Sequence, residues 1–231
     1  IGGGCRLGYY SEAHVETLKN LGYEFKVLDF NNMNSASLFG QLKELNPRLT
    51  HHRFLRVFML AYRKAKVIEE LEKIIRLNIG FEMIKGEFEK LFKLALAEIE
   101  EVNSLSKLHI LKMKYSKKLK SVVINKPKDR IRVGIIGDLY TVMEPFSNFD
   151  IEKKLGKKGV EVHRFVTITG LFNELFLKSI VMNNWVRSAK PYIKYHLGAR
   201  SSDTVAVAHK LAEEGFDGLI HIKPSGCMPE I

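Results

Sequence analysis

The chain has 231 residues, 45% hydrophobic and 27% charged, with 37 Lys and Arg against 26 Asp and Glu and a formal net charge of +11 at pH 7. Length and balance fit one large or two small globular domains with a buried core. No run approaches the roughly 20 apolar residues that span a bilayer. Two cysteines cannot form a disulfide framework, which favours a reducing, cytoplasmic setting.

In chain order, the opening IGGGCRLGYY reads as a strand end and a glycine loop. A helix follows over about 11–21, with Ser11 as N-cap, Glu12 near the positive end and Gly22 as its stop. Residues 23–30, YEFKVLDF, read as a strand, so the opening is half of a parallel α/β unit. From about 34 to 121 nearly everything has helical periodicity. One long amphipathic helix is expected over 53–79. A second, or two in line, is expected over 86–122. Many Lys–Glu pairs at helical spacing and no internal proline support both. Phe54, Phe58, Leu71, Ile75, Phe88 and Leu91 are the expected docking residues of this helical unit, which is inserted into or appended to the sheet domain.

NKPKDR, 125–130, is the linker back. Strand and helix then alternate: a strand over 131–139, a short helix in 148–159 and a strand over 160–168. A helical region follows over about 171–197, broken at Pro191. A helix over 202–215 has Ser202 or Asp203 as cap, and a strand over 216–224 stops at Pro224. The expected fold is α/β, Rossmann-like parallel sheet units with a long helical insertion. Its divisions are 1–33 as the first part of the α/β domain, 34–124 as the insertion and 125–231 as the α/β domain continued.

The basic charge is concentrated. Between Lys107 and Arg130 nine Lys or Arg stand against a single acid, Asp129. Such a run could meet nucleic acid, an acidic partner or a phosphorylated ligand. It also reads as a solvated helix face, and no recognised motif accompanies it, so specific duplex DNA binding is not expected.

Cys5 and Cys227 stand near the two ends of the chain, yet each follows the end of an inferred strand and sits in a glycine-containing loop. In an open parallel sheet such loops share one edge, so the two thiols could be neighbours. Gly3 and Gly4 before Cys5, and Gly226 before Cys227, allow backbone N–H groups to approach a thiolate closely. Cys5 also precedes a helix N-terminus, which lowers a thiol's pKa. Arg6 could offset the negative charge of a thiolate-bound cluster or pair with an exposed carboxylate. Pro224 and Pro229 would stiffen the second loop. Thiolates are what an iron–sulfur cluster binds. From spacing alone, free cysteines read more readily as small buried apolar residues. Zinc is the weaker reading, because no CxxC pair and no His partner accompany the cysteines. His51, His52 and His221 read as surface or packed residues. Asp138 and Glu144 read as loop residues near the cysteine edge, as caps or with a role there.

Three stretches carry a family resemblance. GGGCRLGYYSEAHVETLKNLGYEF resembles the GxCRxGxY loop and helix of the CoA protein activase group, related to 2-hydroxyglutaryl-CoA dehydratase and its activator. GDLYTVMEPFSNFDIEKKL resembles that family's strand–loop–helix, and EEGFDGLIHIKPSGCMPEI its strand ending in Pro-x-x-Cys-Met-Pro-Glu. The helical region matches only in kind. The resemblance implies that Cys5 and Cys227 are ligands of a [4Fe–4S] cluster. It also implies an upstream cysteine loop before Ile1 and further chain after Ile231, so that the sequence reads as a central fragment. Such a fragment, lacking a third thiolate, is not expected to hold a stable cluster by itself. Gly4 stands where the family often has Pro, and Ser225 where it often has Phe. The activators proper are ATPases with a glycine-rich, Asp-containing phosphate loop. GIIGDLYT, 134–141, has only part of that look, and no GxxxxGK[ST] exists, so no ATP site is expected.

The implied function is an iron–sulfur accessory or reductase-like component of a 2-hydroxyacyl-CoA dehydratase-type system, passing low-potential electrons. A dehydratase-like catalytic subunit, or a non-redox binding or assembly module with structural cysteines, are the other readings. The implied partners are an ATPase-type activator or dehydratase-like protein, or a second copy of the chain. No membrane and no specific nucleic acid are expected.

Overall fold

The computed structural model describes residues 7–25, 27–28, 35–176, 187–194 and 201–225. Its first half is helical. Helix α1 spans Leu7–Asn20, α2 Ser35–Leu45, α3 His51–Arg76, α4 Glu87–Glu100 and α5 Leu105–Lys120. Local chemistry sets the boundaries. The Thr50 hydroxyl accepts from Arg53 N–H at 3.3 Å and opens α3. Gly86 has no side chain to cap α4, and the Glu82 carboxylate does so from the preceding turn, accepting from Gly86 N–H at 2.7 Å and Phe88 N–H at 3.1 Å. Ser104 opens α5 by accepting from Lys107 N–H at 3.4 Å.

Helices α3, α4 and α5 pack on one another around Leu71, Phe88, Ala95, Ile99, Tyr115 and Leu119. The break at 101–104 folds α5 back beside α4, where the Tyr115 hydroxyl donates to Glu98 at 2.7 Å. The 86–122 stretch is thus two helices side by side, and the in-line alternative is corrected. Of the expected docking residues, Leu71, Ile75 and Phe88 join this core with Leu91 packed against it. Phe54 instead joins a smaller cluster with Leu38 and Phe39, with Phe58 against it. A single antiparallel bridge, Glu82 to Ile124, ties the α3–α4 turn to the start of the linker.

The second half carries three strands, β1 Arg132–Gly137, β2 Glu161–Arg164 and β3 Gly218–Ile222, in a parallel sheet of order β2-β1-β3. Between them lie α6 Leu139–Met143, α7 Ile151–Lys157, α8 Ile168–Phe176 and α9 Ser201–Glu213. Strand alternation sorts the packing. Ile135 packs with Val142, Val162 and Val166, and with Ile151 and Leu155 around α7. Its neighbour Ile136 packs instead with Val207 and Leu211 of α9. Mixed helix and strand with a parallel sheet is the α/β class expected from the sequence.

Several boundaries differ from expectation. Helix α1 begins at Leu7, so Ser11 lies inside it rather than capping it. Helix α9 begins at Ser201, so Ser202 and Asp203 are buried first-turn residues rather than caps. The described residues of 23–30 form no strand. No described strand pairs with them, and Tyr23, Phe25, Val27 and Leu28 stay exposed.

The helical unit meets the sheet through α3, which touches β2, α7 and α8. Glu69 accepts from the Thr169 backbone N–H at 2.9 Å and also from its hydroxyl, the Tyr62 hydroxyl donates to Asn173 at 2.8 Å, and Phe58 packs edge-on against Phe172.

Candidate functional site

The carboxyl edge of the sheet is where the sequence places the site. Residue Gly137 pairs with Ile222, so β1 and β3 end side by side. The Asp138 N–H donates to the Ile222 carbonyl at 3.0 Å. Gly137 has φ +131°, and a Cβ there would overlap the Ile222 carbonyl, so only glycine permits this approach. Beyond the crossing, Asp138 caps α6, its carboxylate accepting from Thr141 N–H at 3.0 Å. Glu144 likewise serves its own loop, accepting from Phe146 N–H at 3.0 Å. Both acids therefore make the capping contacts that were one of their two readings.

The PFSN stretch is a compact turn. The Asn148 side-chain amide donates to the Val142 carbonyl at 2.9 Å and the Ser147 hydroxyl to the Glu144 carbonyl at 3.0 Å. Phe146 is thrown outward, 90% exposed. Phe149 and Asp150 follow with φ of 57° and 55°, left-handed values that non-glycine residues rarely adopt.

The expected cluster residues Cys5, Gly3, Gly4, Arg6, Gly226 and Cys227 lie outside the described residues, as does Pro229. The chain is described up to Ser225, three residues past the end of β3. Among the described residues no group of three or more His, Cys, Asp or Glu is placed to hold a metal ion. His221 is on β3; burial, and then the charge of Lys223, push its pKa down from the usual imidazole value. His51 stacks on Phe39, with ring centroids 3.7 Å apart.

Two charge clusters join the helical unit to the sheet, and the sequence indicated neither. At the start of β2, the Glu161 carboxylate, only 6% exposed, accepts from Lys126 at 2.6 Å, from Arg130, and from His163 at 2.6 Å. Burial by itself would raise its pKa. The three donors outweigh that and hold it down at about 2. Lys126 also donates to the Leu77 carbonyl at 2.8 Å, at the negative end of α3. Lys112 pairs with Glu70 at 2.5 Å and Lys114 with Glu98 at 2.7 Å. Part of the basic run is therefore paired within the chain, Lys126 and Arg130 at the buried Glu161 and Lys112 and Lys114 at the surface.

At the other end of β2, Arg164 donates to Glu72 of α3 at 2.9 Å and to Glu152 of α7 at 3.2 Å. Arg76, the last residue of α3, reaches the same Glu152 at only 3.7 Å. These groups border a cavity of about 220 Å³ that is also lined by Ile75, Ile79, Phe92, Val142, Met143 and Pro145. Gly80 seals this region against α7: a Cβ there would overlap the Gly156 carbonyl. Sequence reasoning singled out neither Glu72 nor Arg76. No local pattern marked Arg76, which follows Ile75 by one position and so does not share the helix face that buries Leu71.

Comparison with known proteins found no matching family model, no matching curated protein and no matching solved structure. Among the described residues, no helix is long and apolar enough to cross a membrane.

Proposed function

We propose that this chain is part of an iron–sulfur accessory or reductase-like component of a 2-hydroxyacyl-CoA dehydratase-type system, passing low-potential electrons in the cytoplasm with an ATPase-type activator or dehydratase-like protein as its partner. One observation carries the reading. The Cys-Met-Pro-Glu motif follows β3 in the chain, and the end of β3 lies against the end of β1. From β1 the chain passes to β2 on one side, and β3 lies on the other. In Rossmann-like sheets the crevice outside such a reversal is where ligands bind. The motif resemblance supplies the rest, with Cys5 as the second thiolate and Gly3, Gly4, Arg6 and Gly226 shaping the loops.

The donor set of this chain is incomplete for a [4Fe–4S] cluster. Such a cluster takes about four thiolates, or about three with one iron left open, and 2 cysteines are present. Cys5 and Cys227 are therefore proposed as two of the thiolates of such a cluster. When bound, the cluster supplies one-electron chemistry; the chain's own residues position the thiolates.

The test is electron transfer. The complete protein, prepared without oxygen and reduced, should be reoxidised by a dehydratase-like acceptor and should not dehydrate 2-hydroxyacyl-CoA alone. Turnover by the protein alone would make it a catalytic subunit, and absence of iron and sulfide would leave a binding module with structural cysteines.

A further inference from the structure

We infer that the cavity between α3, α4 and the α6–α7 loop is a binding site for a small monocarboxylate with an apolar tail, held by the Arg76 guanidinium. This site is independent of the cysteines and of the function proposed above.

The inference starts from an imbalance of donors. Arg76 is only 8% exposed, yet among the described residues its side chain makes no hydrogen bond, and its single ionic contact is Glu152 at 3.7 Å. Its Nε is buried without a partner. A guanidinium carries five N–H donors, and a buried one is ordinarily paired. Burial pushes the Arg76 pKa down, a cost that Glu152 only partly offsets. Arg164 beside it is differently placed, since Glu72 and Glu152 occupy two of its nitrogens at 2.9 Å and 3.2 Å. Arg164 also leaves its Nε buried without a partner, but among the described residues Arg76 alone of the two has no hydrogen bond at any nitrogen, and it lines a cavity of about 220 Å³.

The surroundings select the anion. Glu72, Glu152 and Asp150 line the same cavity as Arg76, Arg164 and Lys153, and Lys153 is already paired with Glu89 at 2.6 Å. The local charge is balanced, so a dianion would meet three carboxylates with no net attraction. A monocarboxylate brings one charge and two acceptor oxygens in the planar geometry that a guanidinium matches. The remaining walls, Ile75, Ile79, Phe92, Val142, Met143 and Pro145, are apolar and suit a short hydrocarbon tail. The cavity is smaller than the roughly 300–1,000 Å³ of drug-sized pockets, which limits the ligand to a small acid.

Hexanoate is the probe, with hexanamide and inorganic phosphate as comparators, measured by calorimetry on the chain and its variants. Hexanoate should bind and hexanamide should not. Arg76→Met should weaken hexanoate binding by about tenfold or more, the usual effect of losing a charge-assisted pair. Phe92→Trp, which narrows the cavity and leaves the guanidinium in place, should weaken it as well. If Arg76→Met does not fold, the Nε–H resonance of Arg76 in the unmodified chain provides the same test, shifting with hexanoate and not with hexanamide. Equal binding of hexanamide, phosphate binding as tight as hexanoate, unchanged affinity in Arg76→Met, or no hexanoate binding to the unmodified chain would each overturn the assignment.

Discussion

Replacing Glu161 by Gln should destabilise the fold strongly at neutral pH and much less in acid. The carboxylate is 6% exposed and satisfied by Lys126, Arg130 and His163. Its pKa of about 2 in the folded chain lies well below the ordinary carboxylate value of about 4.3. A gap of roughly two units or slightly more corresponds to about 3 kcal/mol. Because the folded pKa is depressed, this stability is fully present above about pH 5 and is lost as the pH falls towards about 2. The amide removes the charge at every pH and strands Lys126 and Arg130, at a cost of about 3–5 kcal/mol for a broken buried pair. Urea unfolding of both proteins from pH 7 down to pH 3 measures the difference. It should be several kcal/mol at pH 7 and shrink steadily below pH 5. A small difference, or one that does not change with pH, would falsify the assignment of Glu161 as the ionic tie between linker and sheet.

Three further outcomes follow from the packing. Tyr115→Phe should cost about 1–2 kcal/mol, because the buried hydroxyl donates to Glu98, and in the unmodified chain this phenol should titrate at about 12, raised by burial and by that carboxylate; a phenol titrating normally by ultraviolet absorbance would contradict its burial. Its raised pKa also means that Tyr115 contributes stability that persists up to about pH 10 and fades towards about pH 12. Phe88→Ala should cost about 3–5 kcal/mol in denaturant unfolding, since Phe88 sits at the centre of the α3–α4–α5 core, and a loss below about 1 kcal/mol would place it outside. Gly137→Ala should abolish or severely weaken folding through its clash with the Ile222 carbonyl, and near-normal thermal stability would mean that the β1–β3 crossing differs from that described.

Periodicity and capping chemistry made much of this fold legible. The apolar spacing of Leu71, Ile75 and Phe88 located the helical core, and the unbroken apolar run around Ile135 and Ile136 located a strand buried on both faces. Alternating Tyr23, Phe25 and Val27 satisfy a strand pattern, yet the described residues of 23–30 form no strand, because a strand also needs a partner, which no local pattern reports. The α4–α5 break was hidden because Val102 continues the apolar spacing while Ser104 acts as a cap only in its folded context. The charge clusters were illegible for a different reason. Glu161 and Lys126, like Arg76 and Glu152, are far apart in the chain, and only tertiary packing buries and joins them. Cys5 and Cys227 lie outside the described residues, so of the expected cysteine edge the structure describes the strand ends Gly137 and Ile222.

The most direct measurement of the central proposal is iron and acid-labile sulfide in the complete protein, purified without oxygen, alongside Cys5→Ala and Cys227→Ala. The expected result is about four iron and four sulfide per chain, with both sharply reduced in each variant while the helical content stays unchanged. Full iron in both variants, or none in the unmodified protein, would contradict a cluster held by these two thiolates.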